Sequence, residues 1–530
     1  MYIERPKKKH KQKIYNSVLL RESYRDNGKV RKRTILNISN WPQEKITALE
    51  MALNPENAGK YDINDMSLSS GKAAGGIIVL NEIAKSLGLA EVFGKNKKAI
   101  LTLVMIFGRI LFQGSRRALT FWQQGQALQE VLGCKNFNTD DLYETLDWID
   151  ANKKSFEKSL YQRRYNNKPM QLCLYDVTSS YLEGEKNELA DYGYNRDKKK
   201  GKKQIVVGML TDDAGYPIGV EVFKGNTSDI ETVPEQIKKL AKQFNIKDII
   251  FVGDRAMVKK TTKKYLTEEE WTFISAITKA QIKSLINQDV IQLELFEDQL
   301  VEVEHDNKRY ILRRNPDRAK LSKHKRAEKI AVIQALIEEQ NKYLQEHAKA
   351  SVNVAKNKIE AKINKLGLNK FFTEVACNHR TVYASKDNAA LKEWAKYDGC
   401  YVIVTDVSKE IMNTKQVHQR YKDLAMVERC FRLSKTGFLE IRPLYVRKAN
   451  RTRAIAFICM CAYMILREIW QKVQELNVPL IHVIDRLEQI QLSNIQVKNI
   501  TIPMLPTIIA KDQQDYLRAL GIALPKKLKI

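Results

Sequence analysis

No two cysteines of this chain stand at Cys-x-x-Cys spacing, and there is no Cys/His ligand pattern. Seven scattered cysteines, an odd number, suggest neither structural zinc nor a disulfide framework, and a reduced, cytosolic setting fits best. Long apolar runs are missing too. The longest, Ala454 to Leu466 (AIAFICMCAYMIL), has 13 residues; a helical membrane span needs about 20, so a buried core helix is expected. No apolar segment follows the charges of MYIERPKKKHKQK, so no signal peptide is expected. Acid is in short supply: 62 Asp and Glu against 90 Lys and Arg, a net charge of +28 with pI near 9.5. Such a surplus points to a polyanionic partner, nucleic acid being the commonest, although lysine also serves solubility alone. There is no internal repeat and no low-complexity tract beyond the lysine runs. At 44% hydrophobic and 29% charged, the chain has a globular composition. Its length allows roughly three or more domains.

The periodicity changes several times along the chain. Residues 1–50 open with the basic run Lys7 to Lys13 and continue as alternating segments, Ile14–Tyr24 and Lys29–Ser39. Asp26-Asn27-Gly28 between them is a strong hairpin signal. Arg21, Arg25, Arg31 and Arg33 on the outer faces suit a phosphate backbone, and a structural hairpin with a solvated face explains them equally well. Residues 66–166 read as helical throughout. Gly76–Leu89 has the pattern of a helix-turn-helix component, Ala99–Phe112 reads as buried, and Asn138-Thr139-Asp140 caps a helix over Asp141–Trp148. Any helical bundle gives similar patterns, so DNA binding there rests mainly on the strands and acids downstream of residue 166.

Near Lys168 the spacing becomes extended. Strands are expected at Gln171–Thr178, Gln204–Thr211 and Tyr216–Phe223, then an amphipathic helix over Asp229–Phe244, a short buried strand at Asp248–Gly253 and a fifth strand at Trp271–Ile277. That order predicts an α/β fold with a ribonuclease-H-like core. Residues 290–400 are expected to leave the sheet as an inserted mixed α+β domain. It would hold a β-rich charged segment (Ile291–Arg313), one or two long charged helices (Lys320–Leu366) and strands over Phe371–Tyr383. Cys400–Thr405 returns as a buried strand, and Tyr421–Lys435 is predicted as one helix. The expected domains are a basic β-hairpin arm (1–50), a helical DNA-binding region (66–166), the core in two parts (167–289 and 401–470) around the insertion (290–400), and a helical C-terminal region (471–530).

The chemistry starts on the helix Tyr421–Lys435. Tyr421, Glu428 and Lys435 are spaced by seven, about 20° short of two turns each time, so a hydroxyl, a carboxylate and an ammonium share one face with Arg432. Alone, this is a solvated face with Glu428 and Arg432 as an i,i+4 pair. Two aspartates upstream change the reading. Asp176 ends the first strand (LCLYD) and Asp254 ends the fourth (IIFVGD). Carboxylates at the carboxyl ends of neighbouring α/β strands converge on one crevice, where Glu428 would arrive on the helix after the last strand. Three hard oxygen ligands suit Mg²⁺, and two such ions about 3.5–4 Å apart would drive an in-line displacement at phosphorus. Each aspartate alone reads as loop punctuation. Only their conjunction with Glu428 points to a site.

These residues lie in longer segments: LYDVTSSYLEGE (174–185), GYNRDKKKGKKQIVVGMLTDDAGYPIGVEVFKGNTSD (193–229), FVGDRAMV (251–258), and YKDLAMVERCFRLSK with FLEIRPLY (421–445). Together they resemble a bacterial insertion-sequence DDE transposase of the insertion-sequence-4-like superfamily, in the group with a Tyr-x2-Arg-x3-Glu-x6-Lys signature. The resemblance implies that Asp176, Asp254 and Glu428 are the catalytic, metal-binding triad, served by two Mg²⁺ (or Mn²⁺) ions. It implies that Tyr421 and Lys435 hold phosphates near the cleaved end. The signature's arginine position is Leu424 here, and Arg432 is the neighbour expected to substitute. Arg255 is either a DNA contact or the salt-bridge partner of a sheet carboxylate. Lys199 and Lys200, in the loop Lys198–Lys203, either touch the DNA backbone or sit in a solvated turn. The implied reaction is metal-dependent cleavage at the ends of an insertion element, then attack of the freed 3′-OH on target DNA. Implied partners are double-stranded DNA (terminal inverted repeats and target) and further copies of the chain, in a homodimer or larger synaptic assembly. The implied location is cytoplasmic and nucleoid-associated. Rival readings are a stand-alone metal-dependent nuclease, a non-catalytic DNA-binding remnant and a small-molecule phosphohydrolase.

Overall fold

The stretch LCLYDVTSSY, Leu172–Tyr181, is buried at eight of its ten positions and forms β1, inside an eight-stranded sheet. The computed structural model describes residues 1–10, 13–26, 29–53, 66–69, 71–166, 168–194, 196, 199, 201–255, 257–435, 446–497, 500–505 and 509–525. They fall into two units: residues 1–86, 114–139 and 468–530 in one, residues 87–113 and 140–467 in the other. The region 66–166, expected as one domain, is thus divided between them.

The larger unit holds the sheet. Beside β1 run β2 (Gln204–Asp212), β3 (Pro217–Lys224), β4 (Ile250–Gly253) and β5 (Thr272–Ala276). Further along come β6 (Val301–His305), β7 (Lys308–Arg314) and β10 (Cys400–Thr405); a separate hairpin supplies β8 (Phe372–Asn378) and β9 (Thr381–Lys386). The sheet order is β6-β7-β10-β5-β4-β1-β2-β3. β1, β4 and β5 are parallel, and the remaining pairings are antiparallel. Strands buried on both faces read as near-continuous apolar runs, which is why β1, β2, β4 and β10 are legible.

One face of the sheet packs against α2 (Asp229–Lys238), α3 (Lys260–Glu268) and α4 (Lys279–Asn287). Cys173, Tyr175 and Val177 alternate along β1 into that core, with Phe251, Phe273, Val233, Ile237, Leu266 and Ile282 around them. The Asp229–Phe244 prediction becomes α2 followed by a wider π turn, Lys239–Gln243.

Two expectations change here. Residues 301–314 do not leave the sheet: β7 pairs with β10 from Arg309 to Arg314. Charge hid this, because Arg309 is buried and its guanidinium meets Glu302 at 2.9 and 3.0 Å and the carbonyls of Val407 and Met412 at 2.8 Å. What stands apart starts at α5 (Pro316–Glu346), which pairs with α6 (Val352–Leu366), the β8–β9 hairpin and α7 (Asn388–Ala395) around a core of its own that includes Ile333, Ile359, Ile363 and Val382. Nor is Tyr421–Lys435 one helix. α8 (Thr414–Lys422) stops at Asp423 and α9 (Leu424–Lys435) begins beyond it. Asp423 is buried and accepts from Gln419 Nε2 at 3.0 Å and Arg420 at 3.1 Å, while the Met426 N–H reaches its carbonyl at 2.8 Å, a three-residue spacing tighter than an α-helix. α10 (Ala449–Val473), most of which belongs to this unit, contains the predicted core helix; although Ala449–Leu476 is long and apolar enough to cross a membrane, 78% of its most apolar window is buried.

In the other unit, Leu19–Asp26 pairs antiparallel with Lys29–Asn37, ending at Asp26 opposite Lys29, and Tyr2–Glu4 adds a third strand. The predicted turn residues Asn27 and Gly28 lie outside the described residues. The C-terminal region is not all helical: Ser493–Val497 and Ile500–Met504 form a sheet with Met66–Ser69. SNIQV and ITIPM are β-branched and alternating, a signal that the apolar helices upstream masked.

A buried charge network ties the helix before the sheet to its edge. Lys153 and Glu157 come from α1 (Thr139–Tyr165), Glu221 from β3 and Lys239 from the π turn. Lys239 Nζ lies 2.7 Å from both Glu157 and Glu221, and Lys153 Nζ lies 2.8 Å from Glu221. Burial alone would lower the Lys239 pKa; Glu157 and Glu221 hold it above the usual lysine value. Glu157, fully buried, also accepts from the Val220 N–H at 3.1 Å and Gln243 at 3.0 Å. Glu157→Ala leaves two buried ammoniums sharing Glu221, so a loss of about 3–5 kcal/mol is expected in denaturant unfolding. A loss below about 1 kcal/mol would contradict the network.

Candidate active site

Parallel pairing sets two of the predicted acids side by side. β1 and β4 pair from Leu172–Ile250 to Tyr175–Gly253. Asp176, within β1, and Asp254, just past the end of β4, are the next residues, and neighbouring strands lie about 4.8 Å apart. Because side chains alternate, Asp176 faces away from the Tyr175 core, as does Met209, its cross-strand partner on β2. α9 packs on β1 at this second face, with Leu424, Val427, Cys430 and Phe431 buried. The Cys430 thiol donates to Met209 Sδ at 3.0 Å, and Glu428 is exposed two residues before it. The turn joining β2 and β3 abuts the same helix. Gly215 there has φ +75°, and a Cβ on it would stand 2.8 Å from Met426 Cβ.

The electrostatics join the three acids. The Asp176 carboxyl is pushed up to about 7, by burial first and then by the charges of Asp254 and Glu428. The Val177 N–H, 2.8 Å from Asp176 Oδ1, and the Arg196 charge work against this rise. Tyr421 is pushed up to about 12 by burial and by Asp254, with a smaller push from Glu428; Arg255 and Arg318 oppose it. Asp254 Oδ1 accepts from the Arg255 N–H at 2.6 Å. Tyr421 therefore belongs to the cluster despite the break at Asp423.

The remaining predicted residues divide. Arg432 is exposed on α9, one turn beyond Glu428, and Arg255 is exposed beside Asp254. Lys435 ends α9 with its side chain outside the described residues, as is all of Lys200. Lys199 is exposed, its ammonium 5.7 Å from the centre of the Tyr181 ring. Leu424 is 8% exposed and belongs to the core, so no cation acts from that position. Sequence reasoning missed two arginines. Arg196 lies inside the quoted segment GYNRDKKK without a role assigned to it, and Arg318 acts from the start of α5, where nothing local marked it.

Among the described residues, no three His, Cys, Asp or Glu side chains form a group close enough to hold one ion. The donor set nevertheless suits a hard divalent cation in kind: three carboxylates, one of them raised to about 7 by burial first and then by the charges of the other two.

Residues 167–465, more than half of the chain, match the family described as the transposase DDE domain. Residues 3–60 match the N-terminal domain of the IS1634 family transposases. No curated protein matches the chain. Among solved structures, the piggyBac transposase synaptic complex with hairpin DNA matches with a TM-score of 0.36 and 9% identity, over 74% of this chain and 70% of that one. The Mos1 transposase paired-end complex with left transposon end matches with a TM-score of 0.15 and 12% identity, over 30% of this chain and 56% of that one. Both are distant likenesses.

The raised Asp176 pKa has a consequence for the metal-free protein. Its folded value lies above the usual 3.8, so the native state binds the extra proton between the two values and stability falls as the pH rises from about 4 through about 7. Asp176→Asn removes that penalty. Its unfolding midpoint in chelator should exceed that of the unsubstituted protein at pH 8, and the gap should close towards pH 4. A gap independent of pH would contradict the raised Asp176 pKa.

Proposed function

The chain belongs to the DDE transposase family and is a DNA transposase, and we propose that Asp176, Asp254 and Glu428 are the acids with which it cuts the ends of an insertion element and joins the freed 3′-OH to target DNA. The observation that carries this reading is the β1–β4 register, one step from Tyr175–Gly253, with α9 docked on the same face. The core reads as ribonuclease-H-like on its strand order β3-β2-β1-β4-β5, with β1, β4 and β5 parallel.

The family depends on divalent metal in general. Here Asp176, Asp254 and Glu428 would hold it, as hard oxygen donors suited to a pair of Mg²⁺ ions. Bound there, the metal would supply positive charge where negative charge develops on the phosphodiester. The chain's own groups bind and orient. The Tyr421 hydroxyl, kept protonated to about 12, is a donor for a phosphate oxygen. Arg255 and Arg432 bring positive charge to the same end of the DNA, and Lys435, one heptad after Glu428, is proposed to reach the phosphate beside the cut. This keeps the Tyr-x2-Arg-x3-Glu-x6-Lys reading, with Arg432 in place of the arginine absent at Leu424. Lys199 and Lys200 are proposed as backbone contacts, and residues 1–166 as the end-binding region. Two ends must be held at once, so a homodimer or larger assembly on the element's inverted repeats is proposed, acting in the cytoplasm.

The test is a joining assay with Mg²⁺ and a DNA end bearing a free 3′-OH. Joined product is expected; cutting without joining would favour a stand-alone nuclease. Asp176→Ala, Asp254→Ala and Glu428→Ala should each lower cleavage by more than about 100-fold while gel-shift binding of the ends stays near its starting value. Equal loss of cutting and binding would make that acid structural. Lys435→Ala should slow cleavage more than it weakens binding to uncut DNA, and an unchanged rate would remove its proposed role.

A further inference from the structure

The carboxyl edge of the parallel strands carries more than the two aspartates. β4 leads to Asp254, and β5 beside it leads to Lys279, the first residue of α4. β10 runs antiparallel to β5, with Ala276 opposite Ile403, so its first residue, Cys400, comes to the same edge, and Asp398 lies two residues before it. Arg314, opposite Cys400, ends β7 there, and α5 leaves the sheet at that point. The inserted subdomain is therefore rooted on the edge that holds the acids, one and two strands beyond Asp254. In open α/β sheets this is the edge at which ligands bind.

Three cations gather at that root around two aromatic rings. Lys279 Nζ lies 3.9 Å from the buried Asp398 carboxylate and 5.3 Å from the centre of the Trp394 ring, on α7. Arg326 of α5, itself mostly buried, pairs with the same carboxylate and stands 5.9 Å from the Phe371 ring. Lys370, two residues before β8, covers the Trp394 ring and lies 5.1 Å from Phe371. Among the described residues no carboxylate pairs with Lys370. Both lysines are held below the usual lysine value. Burial is the largest cause for each and the Arg326 charge adds to it, while Asp398 opposes the shift at Lys279 and Lys279 itself acts on Lys370. Solvated cations would turn apart, but these are held together by the rings. A ring face attracts a cation without carrying net charge, so one carboxylate answers three cations. A compact anion with several acceptor oxygens suits them, and a phosphate group is such an anion.

We propose that Lys279, Arg326 and Lys370 clamp a DNA backbone phosphate other than the one being cut, and that this phosphate ties the inserted subdomain to the sheet. The proposal rests on the reading of the chain as a DNA transposase. Free phosphate shares the chemistry, and the test separates the two sources. The affinity of the full-length protein for a paired duplex is followed from about 50 to 200 mM salt, where each neutralised phosphate contributes about 0.9 to the slope of log K against log salt. Lys279→Gln and Lys370→Gln should each weaken binding about tenfold at the low-salt end. The double variant should flatten the slope by about 0.9, one phosphate and not two. Lys370→Arg should keep affinity and slope, and so should Lys342→Gln, at an exposed position near the far end of α5. DNA should also slow amide exchange along α7, and the double variant should lose that slowing. Should the double variant fail to fold, Lys370→Gln, at an exposed side chain, carries the test alone. An unchanged slope overturns the clamp, as does an equal loss of affinity in Lys342→Gln. Equal slowing of α7 in both proteins overturns the tie. A thermal midpoint raised by inorganic phosphate over chloride at equal ionic strength, with the slope on DNA unchanged, overturns the DNA assignment in favour of free phosphate. Failure of the unsubstituted protein to bind any duplex would instead sink the transposase reading and the clamp with it.

Discussion

Like charge is the constraint from which the candidate site follows. Asp176 and Asp254 sit at matching positions of adjacent parallel strands, and nothing about two carboxylates favours that arrangement. The apolar residues before them impose it. Cys173 and Phe251 turn one way along the pair; Leu174 and Val252 turn the other, and all four are buried. A slip of one residue would carry each of them to the wrong face, so the register is fixed by burial on both sides of the sheet, and the acids are carried along by it. The raised Asp176 pKa comes from burial first, and the neighbouring Asp254 and Glu428 charges add to it.

Glu428 is brought in by a longer chain of contacts, most of them polar. Asp212 at the end of β2 is 2% exposed and accepts from Arg164 at 2.8 Å, the Tyr165 hydroxyl at 3.0 Å, and the N–H groups of Ala214 and Tyr216 at 3.0 and 2.7 Å. So many donors converging on one carboxylate make a stiff turn. Arg164 stacks on Tyr216 at 3.9 Å, and Arg467 of α10 donates to the Ala214 carbonyl. The turn thereby becomes a firm abutment for Met426 at Gly215, while Cys430 rests on Met209. Between those two supports on α9 lies Glu428. The Arg164–Asp212 pair therefore helps to decide where Glu428 stands.

What was legible in the sequence obeys the same physics. β1, β2 and β4 could be found because double burial writes long apolar runs; Asp254 follows the end of β4 as expected, whereas Asp176, expected to end its strand, lies in the middle of β1, which runs on to Tyr181. The N-terminal ribbon was legible from alternation, although its first long strand begins at Leu19 and not at Ile14. β6 and β7 were hidden because Arg309 and Glu302 neutralise each other inside the fold, a pairing that composition reads as two solvent-facing charges. Arg318 was invisible for a different reason. It acts on Tyr421 from more than 100 residues away in the chain, and no local pattern encodes such a meeting.

The break at Asp423 is the most instructive departure, since the face shared by Tyr421 and Glu428 was the first clue to the site. An unbroken helix would hold the two groups about 10 Å apart along one axis. Instead Tyr421 sits in the last turn of α8, which is tied to β10 where the Tyr401 hydroxyl meets His418 Nε2 at 2.5 Å, and Glu428 rides on α9. Asp254, not Glu428, is the carboxylate that acts most strongly on the Tyr421 hydroxyl. The heptad spacing thus singled out Tyr421 and Glu428 on a geometry, one continuous helix, that the structure does not have. The two groups come to the proposed site from separate helices, and Asp254 and Glu428 both act on the Tyr421 hydroxyl. That arrangement lets α9 answer to the sheet at Met209 while α8 answers to β10, so the hydroxyl and the acid are positioned by different parts of the core.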